Sequence, residues 1–126
     1  MKLYTLAVAA SFLLAPAVAF AHGTPPAAAH GGVVAESSGE QWVELVVHGD
    51  QVTAWVLDED RKPAPGAQLG GKATVLAGGK REEVALAPGE ANSLSGKLAT
   101  PVSGKMTAVL QLTVGGKPAT VHFAVG

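Results

Sequence analysis

The sequence predicts an all-β protein, an antiparallel two-sheet β-sandwich of the immunoglobulin-like kind with about seven to eight short strands. Short apolar runs recur about every 8–12 residues from Val33 onward, which is typical of sandwiches of this size. Glycine-containing residue pairs separate several of these runs and favour tight turns. No segment after residue 21 keeps a 3.6-residue apolar period for three turns, so we expect no helix there.

Residues 1–21 have the features of a secretory signal peptide. Lys2 provides the positive charge, an apolar run follows, Pro16 interrupts it, and Ala19-Phe20-Ala21 forms a small-x-small cleavage site. The apolar run is too short to span a bilayer of roughly 30 Å, although a retained N-terminal anchor is an alternative. We therefore expect cleavage after residue 21, a flexible leader over 22–31 and a β-sandwich domain over 32–126, without stable membrane insertion after cleavage.

Composition excludes several classes of function. Removal of residues 1–21 takes away only Lys2, so eight basic residues remain against ten acidic ones, a net charge of about −2. The absence of a basic patch argues against nucleic acid as a partner. The chain has no cysteine, so disulfides, thiolate metal sites and thiol catalysis are excluded. We expect a periplasmic protein that is not an enzyme.

Three predicted hairpins organise the domain. Their strands flank Gly49-Asp50, Gly78-Gly79 and Gly115-Gly116, and they cover 41–48 with 51–58, 72–77 with 80–87, and 105–114 with 117–125. Shorter strands are expected at 32–38 and 92–99. The longest interruption is the loop 58–71, in which the acidic run at 58–60 is followed at once by Arg61 and Lys62. We interpret that run as a solvated turn.

Pairing across the turns assigns the faces of these hairpins. If His48 lies opposite Gln51, one face of the first hairpin is apolar, and the other is mixed and places Trp55 across from Glu44. The apolar face comprises Val43, Leu45, Val47, Val52, Ala54 and Val56. The last hairpin has a second apolar face: Met106, Ala108, Leu110, Leu112, Val114, Ala119, Val121, Phe123 and Val125.

Histidines are the strongest candidates for chemistry. After cleavage, His22 would offer both its amino group and its ring to one metal ion, a chelate that suits Cu(II). His30 is near enough along the leader to add a ligand, His48 lies at a hairpin tip, and Glu44 is a further candidate. The expected cofactor is therefore Cu(II), bound by His22, His30, His48 and Glu44 in some combination.

Each candidate also has an ordinary structural interpretation. His22 follows a cleavage site by chance, His30 belongs to a spacer, His48 is a polar hairpin end and His122 is an exposed strand residue. The tryptophan pair is most simply explained by packing.

The motifs of residues 30–126 resemble a module of periplasmic adaptor subunits of heavy-metal RND efflux systems and related small exported bacterial β-proteins. The matching motifs are His30-Gly31-Gly32, Glu44-Leu45-Val46, Lys62-Pro63, Gly71-Lys72-Ala73-Thr74-Val75-Leu76, Asn92-x-Leu94-x-Gly96 and Gly116-Lys117-Pro118. The resemblance implies a periplasmic domain tied to copper or other metals, with His30 and Glu44 on the ligand side. Where the pattern often has Asp-His, this chain has Asp58-Glu59-Asp60-Arg61. CopC-type copper carriers are similar in kind, but their Asp-x-His segment is not found here.

Two functions from different classes follow as expectations. The first is a periplasmic metal-binding or metal-resistance accessory protein, copper first, acting as a carrier or buffer. The alternative is an interaction module whose Trp42/Trp55 face or exposed edge docks an efflux or envelope partner without metal. A carbohydrate-binding domain that uses the same two tryptophans is a third interpretation.

Overall fold

The computed structural model describes residues 24–126, so the predicted signal peptide and His22 lie outside the described residues. The described chain contains seven β-strands and a single 3-10 turn at Gly66–Gln68, with no α-helix in this part. The strands are β1 Val33–Glu36, β2 Trp42–Leu57, β3 Leu69–Ala77, β4 Lys80–Pro88, β5 Ser93–Val102, β6 Met106–Val114 and β7 Lys117–Val125.

All seven strands join one antiparallel sheet in the order β1-β2-β5-β4-β3-β6-β7. The all-β antiparallel prediction is therefore confirmed, whereas a division into two immunoglobulin-like sheets is not. The reason is β4, which pairs with β3 along most of its length and also with β5 at Ala87 and Pro88.

The two outer strands of this sheet come together and nearly close it into a barrel. The N–H of Ser38 donates to the carbonyl of Thr120 at 2.9 Å, and the N–H of Thr120 donates to Ser38 Oγ at 2.9 Å. These bonds join the loop after β1 to β7, and they occupy backbone groups that an open sheet edge would expose.

The two Gly-Gly hairpins form as predicted. Ala77 pairs with Lys80 around Gly78-Gly79, and Val114 pairs with Lys117 around Gly115-Gly116. All four glycines have φ between 56° and 81°. Positive φ at both central residues is the requirement of the type I′ turn, which glycine meets without steric cost.

Strand β2 reverses direction within its own length. The His30 ring contacts both Glu44 and Trp55. Its Nδ1 lies 2.9 Å from Glu44 Oε1, and its centroid lies 3.7 Å from the centroid of the Trp55 ring. In a straight strand these two residues would lie roughly 36 Å apart, at about 3.3 Å per residue. The chain must therefore fold back between them, and Gly49, with φ of 61°, lies near the midpoint. This reversal agrees with the hairpin predicted at Gly49-Asp50. Both arms of the hairpin and the turn between them belong to the single strand Trp42–Leu57.

The core lies inside the curved sheet and contains the apolar faces that the pattern predicted. On β2, Val43, Leu45, Val52, Ala54 and Val56 are each at most 1% exposed, and Val47 is partly buried. On the last hairpin, the predicted apolar residues are buried except for Val114 and Val125, which are partly buried. The predicted assignment of strand faces is confirmed for both.

The acidic run at 58–60 forms a turn. Asp58 Oδ1 accepts the N–H groups of Asp60 and Lys62, each at 2.9 Å, and the Asp58 N–H donates to the Lys62 carbonyl at 2.7 Å. The carboxylate of Asp58 thus shapes the loop, and the turn places Arg61 beside the outer face of β2.

Candidate functional site

The described part of the leader lies against the outer, mixed face of β2. Residues 24–32, which are the described leader together with Gly32 before β1, have irregular backbone and mostly exposed side chains; below, the leader includes Gly32. They contact β2 through Glu44, Trp55 and the Trp42 region, which is the face that the hairpin register assigned to the two tryptophans. The predicted flexibility of the leader stays a prediction. Its described residues contact and cover the outer face of β2.

Glu44 is the centre of these contacts. Its Oε1 accepts the N–H of Ala29 at 3.0 Å, and its Oε2 accepts the N–H groups of His30 and Gly32 at 2.8 and 2.9 Å. The His30 ring supplies a fourth bond, from Nδ1 to Oε1 at 2.9 Å. A carboxylate offers about four lone-pair positions, so the capacity of Glu44 is filled.

These hydrogen bonds decide the charge of Glu44. Its burial acts to raise the pKa, but the bond from the His30 ring and the backbone N–H groups of Gly32, His30 and Ala29 act in the other direction. The net result is a pKa below the ordinary value of 4.5. Glu44 is therefore an ionised carboxylate in a nearly buried position, stabilised by donors from the leader.

The His30 ring is held on two sides. It stacks on the indole of Trp55 with an interplanar angle of 5°, and its Nδ1 faces Glu44. Because an ionised carboxylate can only accept, Nδ1 carries the proton in this bond. In the neutral ring Nε2 then keeps its lone pair, and no residue of 24–126 forms a hydrogen bond with it. The side chain of His30 is 42% exposed, so this nitrogen belongs to a group that solvent reaches.

A second contact holds the leader six residues earlier. Arg61 Nη2 donates to the carbonyl of Thr24, and the guanidinium carbon lies 5.5 Å from the centroid of the Trp42 ring. This distance is within the range of a cation–π contact. Trp42 is only 4% exposed, although its strand position faces outward.

Between these two contacts the leader covers a small cavity of about 60 Å³. Its lining includes Pro26, Ala27, Val34 and Leu57 beside the two tryptophans. A water molecule takes roughly 30 Å³ of liquid volume, so the space suits one or two waters. Stacking of a sugar on Trp55 would compete with the His30 ring for that side of the indole.

The other predicted ligands lie elsewhere. His48 is exposed and sits four residues beyond Glu44 on β2, roughly 13 Å away at about 3.3 Å per residue. Outside the predicted ligand set, Met106 is buried in the core, and His122 is exposed on β7 opposite Val109. Among residues 24–126, no three or more His, Asp or Glu side chains cluster to hold a metal ion.

Sequence reasoning named His30 and Glu44 as candidate ligands, and the resemblance implied the ligand side for both, but it missed Arg61. The hairpin register placed Trp55 opposite Glu44, which is where His30 is found. Arg61 was considered only as a neighbour of the solvated turn at 58–60, because its contact partner Thr24 is 37 residues away along the chain.

No protein-family model, curated protein or solved structure matches this chain. The similarity to efflux adaptor modules therefore stays an expectation. No helix within residues 24–126 is long and apolar enough to cross a membrane.

Proposed function

We propose that this chain is a periplasmic, exported metal-binding accessory protein, copper first, that acts as a non-catalytic carrier or buffer. The observation that supports this proposal is the bond between His30 Nδ1 and Glu44 Oε1. Histidine ligands in metal sites usually donate their second ring nitrogen to a carboxylate or carbonyl, which orients the ring and raises its basicity. His30 has this arrangement, with Nε2 left for a metal ion.

The donor set near His30 fits such a site only in part. Glu44 was expected as a ligand, but its oxygens already accept four bonds, so we assign it the orienting role. His30 then provides one ligand from the described residues. The remaining ligands would come from His22, whose amino group and ring become one chelate after cleavage at Ala21.

Nitrogen ligands of this kind favour Cu(II), which prefers nitrogen-rich tetragonal sites and binds more tightly than other divalent first-row ions. The amino group has a reference pKa of about 8, and protons also compete for the imidazole nitrogens. Binding should therefore weaken as the pH falls.

An efflux or envelope protein is the partner we propose, on the resemblance of residues 30–126 to efflux adaptor modules.

Titration of the processed protein with Cu(II) tests this function. Intact-mass measurement of the exported product should first show a chain that begins at His22. Calorimetry should then show one Cu(II) per chain, and electron spin resonance should show nitrogen ligands. His22→Ala, His30→Ala and one extra residue before His22 should each weaken binding, whereas His122→Ala and His48→Ala should not.

The alternative is the metal-free docking module. In the structure the Trp42/Trp55 face is already covered by residues 24–30, so docking there would require displacement of the leader. Equal Cu(II) affinity in the wild type, the His22 and His30 variants and the extended protein would reject the metal site and favour that alternative.

A further inference from the structure

The contact between Arg61 and Thr24 has no role in the site as described so far. It joins an exposed loop to the leader through a side chain whose guanidinium also lies over Trp42. His30, the next residue of the leader with a side-chain anchor, is six positions later. The leader is therefore attached at two separate points, and each involves one of the two tryptophans.

Arg61 is itself held in place. Its N–H donates to the Asp58 carbonyl at 2.9 Å, and its backbone has φ of 64°, a left-handed conformation that side-chain-bearing residues rarely adopt. Two further N–H groups of the same turn bind Asp58 Oδ1. A conformation with a backbone cost is thus maintained by the turn, and it presents the guanidinium to both Trp42 and Thr24.

We propose that Arg61 is a positioning residue for the histidine site. It holds the leader at Thr24, so that His30 stays on Trp55. This inference rests on the proposed function for its consequence in metal binding. The attachment of the leader to the domain by Arg61, called the clamp below, is a separate claim about the described residues 24–61.

The physical reason is preorganisation. A chain segment attached at one end must lose conformational freedom when its residues bind a common ion, whereas a segment attached at both ends has lost part of it already. In an exposed position a hydrogen bond and a cation–π contact each change an equilibrium constant by about two- to five-fold, so the two together correspond to about five- to thirty-fold. Loss of Arg61 should weaken Cu(II) binding by a factor of that order.

The test compares Arg61→Gln with Lys62→Gln in the processed full-length chain. Both variants remove one positive charge from the same turn, but among residues 24–126 the Lys62 side chain forms no hydrogen bond or ion pair with the leader. Arg61→Gln keeps a Cβ, so the backbone cost at φ 64° is unchanged. We expect weaker Cu(II) binding and faster amide hydrogen exchange at Ala29, His30 and Gly32 in Arg61→Gln only. The strand amides should be unchanged in both variants.

Arg61→Lys adds a graded measurement, because lysine keeps the charge but lacks the planar fork that can donate to Thr24 while lying on Trp42. Arg61→Lys should therefore protect the amides of Ala29, His30 and Gly32 from exchange better than Arg61→Gln does, but less well than the wild type. If wild-type protein binds no Cu(II), the proposed function fails, and the exchange measurement still decides the clamp. Identical leader exchange in the Arg61→Gln and Lys62→Gln proteins would overturn the inference.

Discussion

At the scale of the residue, one carboxylate organises the site. Glu44 is 7% exposed and gathers three backbone N–H groups and one imidazole from a segment 12 to 15 positions earlier in the chain. An ionised group in such a position is stable only when donors replace the water it has lost. The leader supplies these donors, so the position of the leader and the charge of Glu44 depend on each other.

Replacement of Glu44 should release the leader. In Glu44→Gln the amide nitrogen would replace one carboxylate oxygen and could not accept from the two donors bound there. These donors are the Ala29 N–H with the His30 ring, or the N–H groups of His30 and Gly32. We expect a loss of about 1–3 kcal/mol in the free energy of unfolding, the usual cost of removing an acceptor for several donors. Urea unfolding measures it, and unchanged stability together with unchanged exchange at His30 would contradict this role.

The lowered pKa of Glu44 predicts a dependence on pH. Since the folded-state pKa is below its ordinary value of 4.5, the carboxylate contributes stability that is present above that value. This contribution is lost as the pH falls through the lower folded pKa. The stability difference between wild type and Glu44→Gln should therefore shrink under acid conditions below about pH 4.5. A difference that stays constant down to pH 2 would show that ionised Glu44 does not stabilise the fold.

At the scale of the element, glycines determine where the strands turn. The Gly-Gly pairs in the β3–β4 and β6–β7 hairpins adopt left-handed φ, and Gly49 adopts it where β2 reverses. Gly96 has another role, because a Cβ there would lie 2.4 Å from Val84 Cγ1 and 2.5 Å from the Ala85 carbonyl oxygen. Glycine at that position allows β5 to approach β4 closely.

Two glycine substitutions measure the cost of a left-handed backbone without a steric clash. Gly116 has φ of 81° and Gly70 has no left-handed φ, and a Cβ would meet nothing within 4 Å at either position. Gly116→Ala should lower the free energy of unfolding by about 1–2 kcal/mol, the cost of a left-handed residue. Gly70→Ala should be neutral or stabilise by up to about 1 kcal/mol. Equal effects of both in urea unfolding would argue against the type I′ turn.

At the scale of the whole molecule, a single core inside a nearly closed sheet holds the fold. Residues from β2 through β7 contribute to this core, and Leu45, Leu94 and Leu110 are among its largest fully buried side chains. Apolar burial at about 25 cal/mol per Å² is the dominant favourable term in such a domain. The core includes neither His30 nor Glu44, so the candidate site lies outside the main source of stability.

The domain should therefore fold without metal. Circular dichroism in the presence of a chelator should show a β-rich spectrum and a cooperative thermal transition, and added Cu(II) should shift the midpoint only by mass action. A chain that stays unfolded until metal is added would mean that ligand binding nucleates the fold, and the core described here would then be insufficient.

The sequence by itself determined the all-β class, the Gly-Gly turns and the faces of the strands. These features depend on neighbouring residues: alternation with period two selects the buried face, and a glycine pair permits the turn. The same reasoning placed Glu44 and Trp55 opposite each other, and so predicted part of the candidate site.

Only the tertiary structure decided how these elements combine. It joined all seven strands in one sheet through β4, bonded Ser38 to Thr120 across 82 positions, and placed Arg61 on Thr24. Such contacts depend on which distant segments meet, and many arrangements satisfy the same local pattern of turns and apolar faces. The choice among them is made by packing of the whole core and by donors and acceptors that find partners only when the chain has folded.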